Sequence, residues 1–170
     1  MLCGLRIWQR NKGLKLMISV LFVCLGNICR SPMAEGIMRQ KIKDYDLDAM
    51  VDSCGTANYH VGESPDRRGI QTLHNYDIDI SNLQGRQFHI SDFDHFNFIF
   101  TMDTSNYENI IALARNEKDK AKVQLLLDET YPGEQRVVPD PYYGGADGFE
   151  ETYALVDAAC ESLAQRLSTK

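Results

Sequence analysis

Apolar residues cluster along the chain in four short runs separated by segments of helical period. Residues 17–23 (MISVLFV) are almost continuously apolar and rich in branched side chains, the pattern of a strand buried on both faces of a parallel sheet. Further strands are predicted over 49–53, 95–102 (HFNFIFTM) and 123–127. Between them, Ser31-Pro32 reads as an N-cap and first helical residue, opening a helix to about Lys43 with Met33, Ile37 and Met38 at helical spacing. Helices are also predicted over 65–75, 104–115 and 149–167, the last carrying Val156, Ala159, Cys160, Leu163 and Leu167 on one face. Strands alternating with helices predict an α/β fold, an open parallel four-stranded sheet with helices on both faces. Ligands of such sheets bind beyond the carboxyl ends of the strands. The irregular stretch 128–148, with Pro132, Pro139 and Pro141, is long enough to be expected to carry function.

Composition narrows the field. At 170 residues, 44% hydrophobic and 25% charged, the chain is expected to form one globular domain over 17–170. Residues 1–16 carry Arg6, Arg10, Lys12 and Lys15 around short apolar pieces, with no signal-peptide core. They are expected to be a disordered extension or a mis-assigned start. A net charge of −6 without runs of like charge argues against nucleic-acid or membrane partners, so any anion site must be built locally. Five cysteines (Cys3, Cys24, Cys29, Cys54, Cys160) suit neither a disulfide framework nor a zinc pattern, and His60, His74, His89 and His95 are scattered. A reducing, cytoplasmic location is expected, with no metal or cofactor.

The chemistry concentrates after the first strand, in Cys24-Leu25-Gly26-Asn27-Ile28-Cys29-Arg30-Ser31. Cys followed six positions later by Arg is weak on its own. Placed between a strand and a helix N-terminus, it becomes a loop whose backbone N–H groups converge on an anion. Gly26 and Asn27 tolerate the backbone angles such a nest demands, and no acidic residue lies between Cys24 and Ala34. In that setting Cys24 is expected to react as a thiolate. Ser31 would donate to the sulfur, and the planar fork of Arg30 would hold two phosphoryl oxygens.

These residues resemble the low-molecular-weight protein tyrosine phosphatases, whose Cys-x5-Arg-Ser/Thr signature stands here as CLGNICRSP. The family's general acid lies in an Asp-Pro-Tyr loop, matched by Asp140-Pro141-Tyr142-Tyr143. The resemblance runs from about Met17 to the C-terminus and implies a flavodoxin-like fold. It also implies hydrolysis of phosphotyrosine in proteins through a phosphocysteine on Cys24, with inorganic phosphate as product. Asp140 would protonate the departing phenolate and later activate water. The resemblance further assigns Asn27, Ser53 and His74 to a hydrogen-bond network holding the loop. Tyr59, Tyr142 and Tyr143 would form an aromatic rim, and Cys29 would be a reversible disulfide partner that protects Cys24 from oxidation.

Three rival readings share parts of this pattern. Thioredoxin-coupled arsenate reductases need relay cysteines in mid-chain, but none occurs between Cys54 and Cys160. Protein-arginine phosphatases carry Thr where Ile28 stands; the branched apolar side chain favours a flat phenyl ring over a guanidinium. A module that binds phosphotyrosine without turnover would not need nucleophile, Arg, hydroxyl and acid together.

Overall fold

Four strands, β1 (Ile18–Cys24), β2 (Ala49–Gly55), β3 (Phe98–Thr101) and β4 (Val123–Leu125), form one sheet in the order β2-β1-β3-β4, every neighbouring pair parallel. The structure, a computed structural model, describes residues 17–169; the extension expected over 1–16 lies outside them. The helices are α1 (Arg30–Asp44), α2 (Arg67–His74), α3 (Asp92–His95), α4 (Thr104–Leu113), α5 (Glu117–Lys120) and α6 (Ala146–Ser168). This is the doubly wound α/β architecture that the alternation of patterns predicts.

Alternation along β1 builds two cores. Val20 and Phe22 point to the face covered by α1, α2 and α6, where they meet Met33, Ile37, Leu73, Phe149 and Leu163. Leu21 and Val23 point the other way, toward Phe93, Ile99 and Ile110. Both sets are fully buried, which explains why the run reads as continuously apolar rather than alternating. Each such side chain contributes about 1.5–3 kcal/mol on burial. No described helix is long and apolar enough to cross a membrane.

Element boundaries depart from the sequence reading for identifiable reasons. The segment 95–102 is strand only from Phe98, because residues 92–95 close a turn of helix with Phe96 N–H donating to Asp92 O at 3.0 Å. Beyond Leu125, the apolar Leu126 and Leu127 enter a 3-10 turn, Leu126–Glu129, rather than extending β4. Helix α1 starts at Arg30 with Cys29 in the cap position and no side-chain cap bond. Ser31 is therefore inside the helix, its hydroxyl committed to the preceding loop instead of the helix end. Pro32 remains in the first turn, where a missing N–H breaks no helical bond.

Candidate active site

The chain leaves β1 at Cys24, folds into a tight loop over 25–29 and enters α1, so the loop sits at the carboxyl edge of the innermost strands. Its carbonyls are turned outward: Cys24 O accepts from Thr56 N–H at 2.9 Å, Leu25 O from Ala57 N–H at 2.9 Å, and Ile28 O from Asp66 N–H at 2.8 Å. Among the described residues, no backbone carbonyl accepts from the amides of Gly26, Ile28 or Cys29. Asn27 N–H donates to Cys24 Sγ at 3.3 Å. The loop thus leaves several amides free of backbone acceptors beside the sulfur, the makings of an anion nest.

Asn27 makes this turn possible. Its φ of 58° lies in the left-handed region, and its side chain holds it there. Nδ2 donates to Ser31 Oγ and Ser53 Oγ, both at 2.9 Å, and Oδ1 accepts from Arg86 N–H at 2.9 Å. Gly55 has a steric role: a Cβ there would lie 2.6 Å from Leu25 O. Ser31 Oγ sits 3.0 Å from Cys24 Sγ and 3.2 Å from Cys54 O.

The network behind the loop closes on a residue the sequence reading missed. Ser53 Oγ donates to Glu35 Oε2 at 2.6 Å, and Arg39 pairs with the other carboxylate oxygen. Glu35 lies four residues after Ser31 on the same face of α1 and is only 2% exposed. Burial pushes its carboxyl above the ordinary range, an effect only partly offset by the Ser53 hydroxyl and Arg39. The signal is an acidic residue placed among the helically spaced apolar positions Met33, Ile37 and Met38. His74, expected in this network, is exposed at the end of α2 and makes no hydrogen bond to the loop. Glu35 supplies the acceptor for Ser53 instead.

Arg30 is 3% exposed, and its fork reaches the start of α4 and the segment that carries Asp140. Nη1 donates to Asp103 Oδ2 at 2.6 Å and to Val138 O at 3.1 Å, while Nη2 donates to Asp140 Oδ2 at 3.2 Å. Burial opposes its charge, but Cys24, Asp103 and Asp140 outweigh that and hold the guanidinium above its usual range. Asp103 was not singled out from sequence. It caps α4, accepting from Asn106 N–H at 2.8 Å, and follows β3 at the sheet's carboxyl edge, a position that marks it in retrospect.

Asp140 stands on the irregular segment between β4 and α6. Val138 N–H donates to Met102 O at 2.8 Å, anchoring the segment to the end of β3, and Asp140 Oδ1 accepts from Tyr142 N–H at 3.0 Å. Cys24, Leu25, Gly26, Ile28, Cys29, Arg30, Tyr59, Asp140, Tyr142 and Tyr143 thus surround one cavity of about 280 Å³. His60 joins them, its Nδ1 2.7 Å from Glu63 Oε2, and a Cβ on Gly26 would come within 2.9 Å of its ring. In the sequence His60 stands out only as one of four scattered histidines, and its adjacency to Tyr59 is the one signal of its place here. Tyr143 is 93% exposed and Tyr59 71%, so both stand at the mouth. Cys29 is buried; that burial, with Asp66, Cys24 and Asp140 nearby and against Arg68, pushes its thiol up to about 12.

The arrangement brings a cysteine sulfur, loop amides, a guanidinium fork and a carboxyl group around one space large enough for an aryl phosphate. Residues 19–170 match the family model described as low molecular weight phosphotyrosine protein phosphatase. The chain is 46% identical over 144 residues to the low molecular weight phosphotyrosine protein phosphatase of Schizosaccharomyces pombe, covering 82% of this chain and 91% of the relative. Among solved structures, YfkJ from Bacillus subtilis superposes with a TM-score of 0.84 at 36% identity, over 92% of this chain and 98% of that one. The Drosophila arginine phosphatase DARP superposes at 0.80 with 36% identity, over 86% of this chain and 96% of that one. Motif, fold and relatives converge on one assignment: the chain belongs to the low molecular weight phosphotyrosine protein phosphatases.

Proposed function

We propose that this chain hydrolyses phosphotyrosine in proteins, and small aryl phosphates, through a phosphocysteine on Cys24. The observation that carries the reading is the convergence of Cys24, Arg30 and Asp140 on a single aromatic-rimmed cavity. The phosphoryl oxygens take the loop amides and the Arg30 fork, which supply the positive field that transfer requires. An incoming dianion competes with Asp140 for Nη2 of Arg30, releasing the carboxyl toward the leaving group.

In the first step the Cys24 sulfur forms a bond to phosphorus while the P–O bond to the phenol breaks. Asp140 passes its proton to the phenolate oxygen. In the second, Asp140 takes a proton from water, whose oxygen attacks phosphorus, and the S–P bond breaks. Ser31, 3.0 Å from the sulfur, stabilises the departing thiolate by a hydrogen bond from its hydroxyl. The products are the dephosphorylated tyrosine and inorganic phosphate.

The similarity to an arginine phosphatase gives a second reading a concrete basis. Against it, Ile28 lines the cavity with a branched apolar side chain, and the tyrosines at the mouth match a flat ring. The test is turnover of matched phosphotyrosine and phosphoarginine peptides with chelator present, with Cys24→Ser as control. Hydrolysis of the phosphotyrosine peptide, abolished in the variant, is expected. Preference for phosphoarginine, or activity surviving in Cys24→Ser, would overturn the proposal.

A further inference from the structure

Arg68 lies outside the cavity and bonds both to Asp66, which is fixed to the phosphate loop, and to the segment that carries Asp140. It is the second residue of α2, and the helix's cap, Asp66, is fixed to the phosphate loop by its own N–H, 2.8 Å from Ile28 O. Asp66 grips Arg68 along one edge of the guanidinium, with Nε to Oδ1 at 3.0 Å and Nη2 to Oδ2 at 2.8 Å. The other edge faces the segment that carries Asp140. There Nη1 donates to Gly144 O and Nη2 to Tyr142 O, each at 3.1 Å. The guanidinium also lies 5.8 Å from the Tyr142 ring centre and 4.7 Å from that of Phe149.

On the N-terminal side, Asp140 is secured by the bond of Val138 to β3. On its C-terminal side, among the described residues, every hydrogen bond from 141–144 to another element comes from Arg68. Tyr142 in turn donates its N–H to Asp140 Oδ1 at 3.0 Å. A continuous chain of bonds therefore runs from Ile28 in the phosphate loop through Asp66, Arg68 and Tyr142 to Asp140.

We infer that Arg68 is a positioning residue: it ties the acid-bearing segment to the phosphate loop and so sets Asp140 at the distance needed to reach the leaving-group oxygen. The inference rests on Asp140 being the general acid. The side chain must be Arg, because two carbonyls and a carboxylate require a planar fork with several donors. A lysine ammonium can pair with Asp66 but cannot span the same partners.

The experiment uses Arg68→Met, which keeps an apolar stem over Phe149, and Arg68→Lys, both checked for folding by circular dichroism and thermal melts. kcat/KM is measured for phenyl phosphate, whose leaving group needs a proton, and for 2,4-dinitrophenyl phosphate, whose leaving group does not. Both variants are expected to lose about 10–100-fold on the first, the scale of a misplaced catalytic group. On the second substrate the loss should stay within about twofold, and inhibition by inorganic phosphate should be unchanged. Added to Asp140→Ala, Arg68→Met should cost nothing more. If Asp140→Ala itself slows both substrates equally, the acid assignment fails. If Asp140→Ala is selective but Arg68→Met matches wild type, slows both substrates alike, or adds to Asp140→Ala, the positioning role alone is wrong. Arg68→Lys answers the same question should Arg68→Met not fold.

Discussion

Cys24 and Cys29 share a cavity but differ in how they can react. Cys24 receives Asn27 N–H and lies beside the Ser31 hydroxyl, whereas Cys29 is buried, and its thiol is pushed up to about 12. Cys29 therefore stays protonated at working pH and is a poor first target for oxidants. Peroxide is expected to oxidise Cys24 to the sulfenic acid; the Cys29 thiol then condenses with it, forming a disulfide and releasing water. Activity should return with dithiothreitol, and recovery should fall sharply in Cys29→Ser, in which Cys24 proceeds to higher oxides. Equal recovery in the variant would remove Cys29 from this role. Glu35 gives a second residue-scale prediction. Its folded-state carboxyl is raised above the ordinary 4.5, so the folded state binds more protons than the unfolded one across that window. Its contribution to stability is thus lost as pH rises from the ordinary carboxylate value through the folded one. Glu35→Gln should flatten that slope, read as the difference between the two proteins' unfolding midpoints across mildly acidic pH.

The elements meet at close quarters around the loop, and β2 bears on it most directly. With Leu25 O and Asn27 N at 2.6 and 3.1 Å from where a Cβ would sit on Gly55, neither able to move without the loop, Gly55→Ala must displace the nest. A cost of about 1–3 kcal/mol in stability is expected from the overpacking. kcat/KM should fall about tenfold or more for good and poor leaving groups alike, since the binding loop rather than the acid is disturbed. Melting curves and steady-state kinetics check both. Such contacts mark the limit of what the chain alone discloses. The strand-loop-helix around Cys24 to Ser31 was legible because it is a local pattern with local physical meaning, whereas Asp140, in a segment that by itself reads as a turn, was reached only through the family resemblance. Glu35 and Asp103 were not legible as site residues, since each acquires its role from a partner distant in sequence, and neither was His60, since its place at the cavity follows from how its loop folds back over Gly26. His74 failed for the same reason: its helix was found, but the direction of its side chain depends on packing that periodicity does not encode. Ser31 shows a subtler limit, a good cap residue drawn away from the helix end by a better use of its hydroxyl.

For the whole molecule, the sheet order decides which half of the catalytic apparatus is most secure. β1 lies between β2 and β3, with buried side chains on both of its faces. The segment bearing Asp140 lies at the surface, clipped at one end to β3 and along its length by Arg68. Amide deuterium uptake should divide accordingly: the amides of 20–23 should exchange only through global unfolding, and those of 142–144 through small local openings. Equal rates in the two stretches would refute this division. Its consequence is an order of failure. In gentle urea the protein should first lose turnover of substrates that need a proton, while still capturing a phosphoryl group on sulfur from those that do not. The innermost strand keeps the nucleophile loaded after the outer loop has let go.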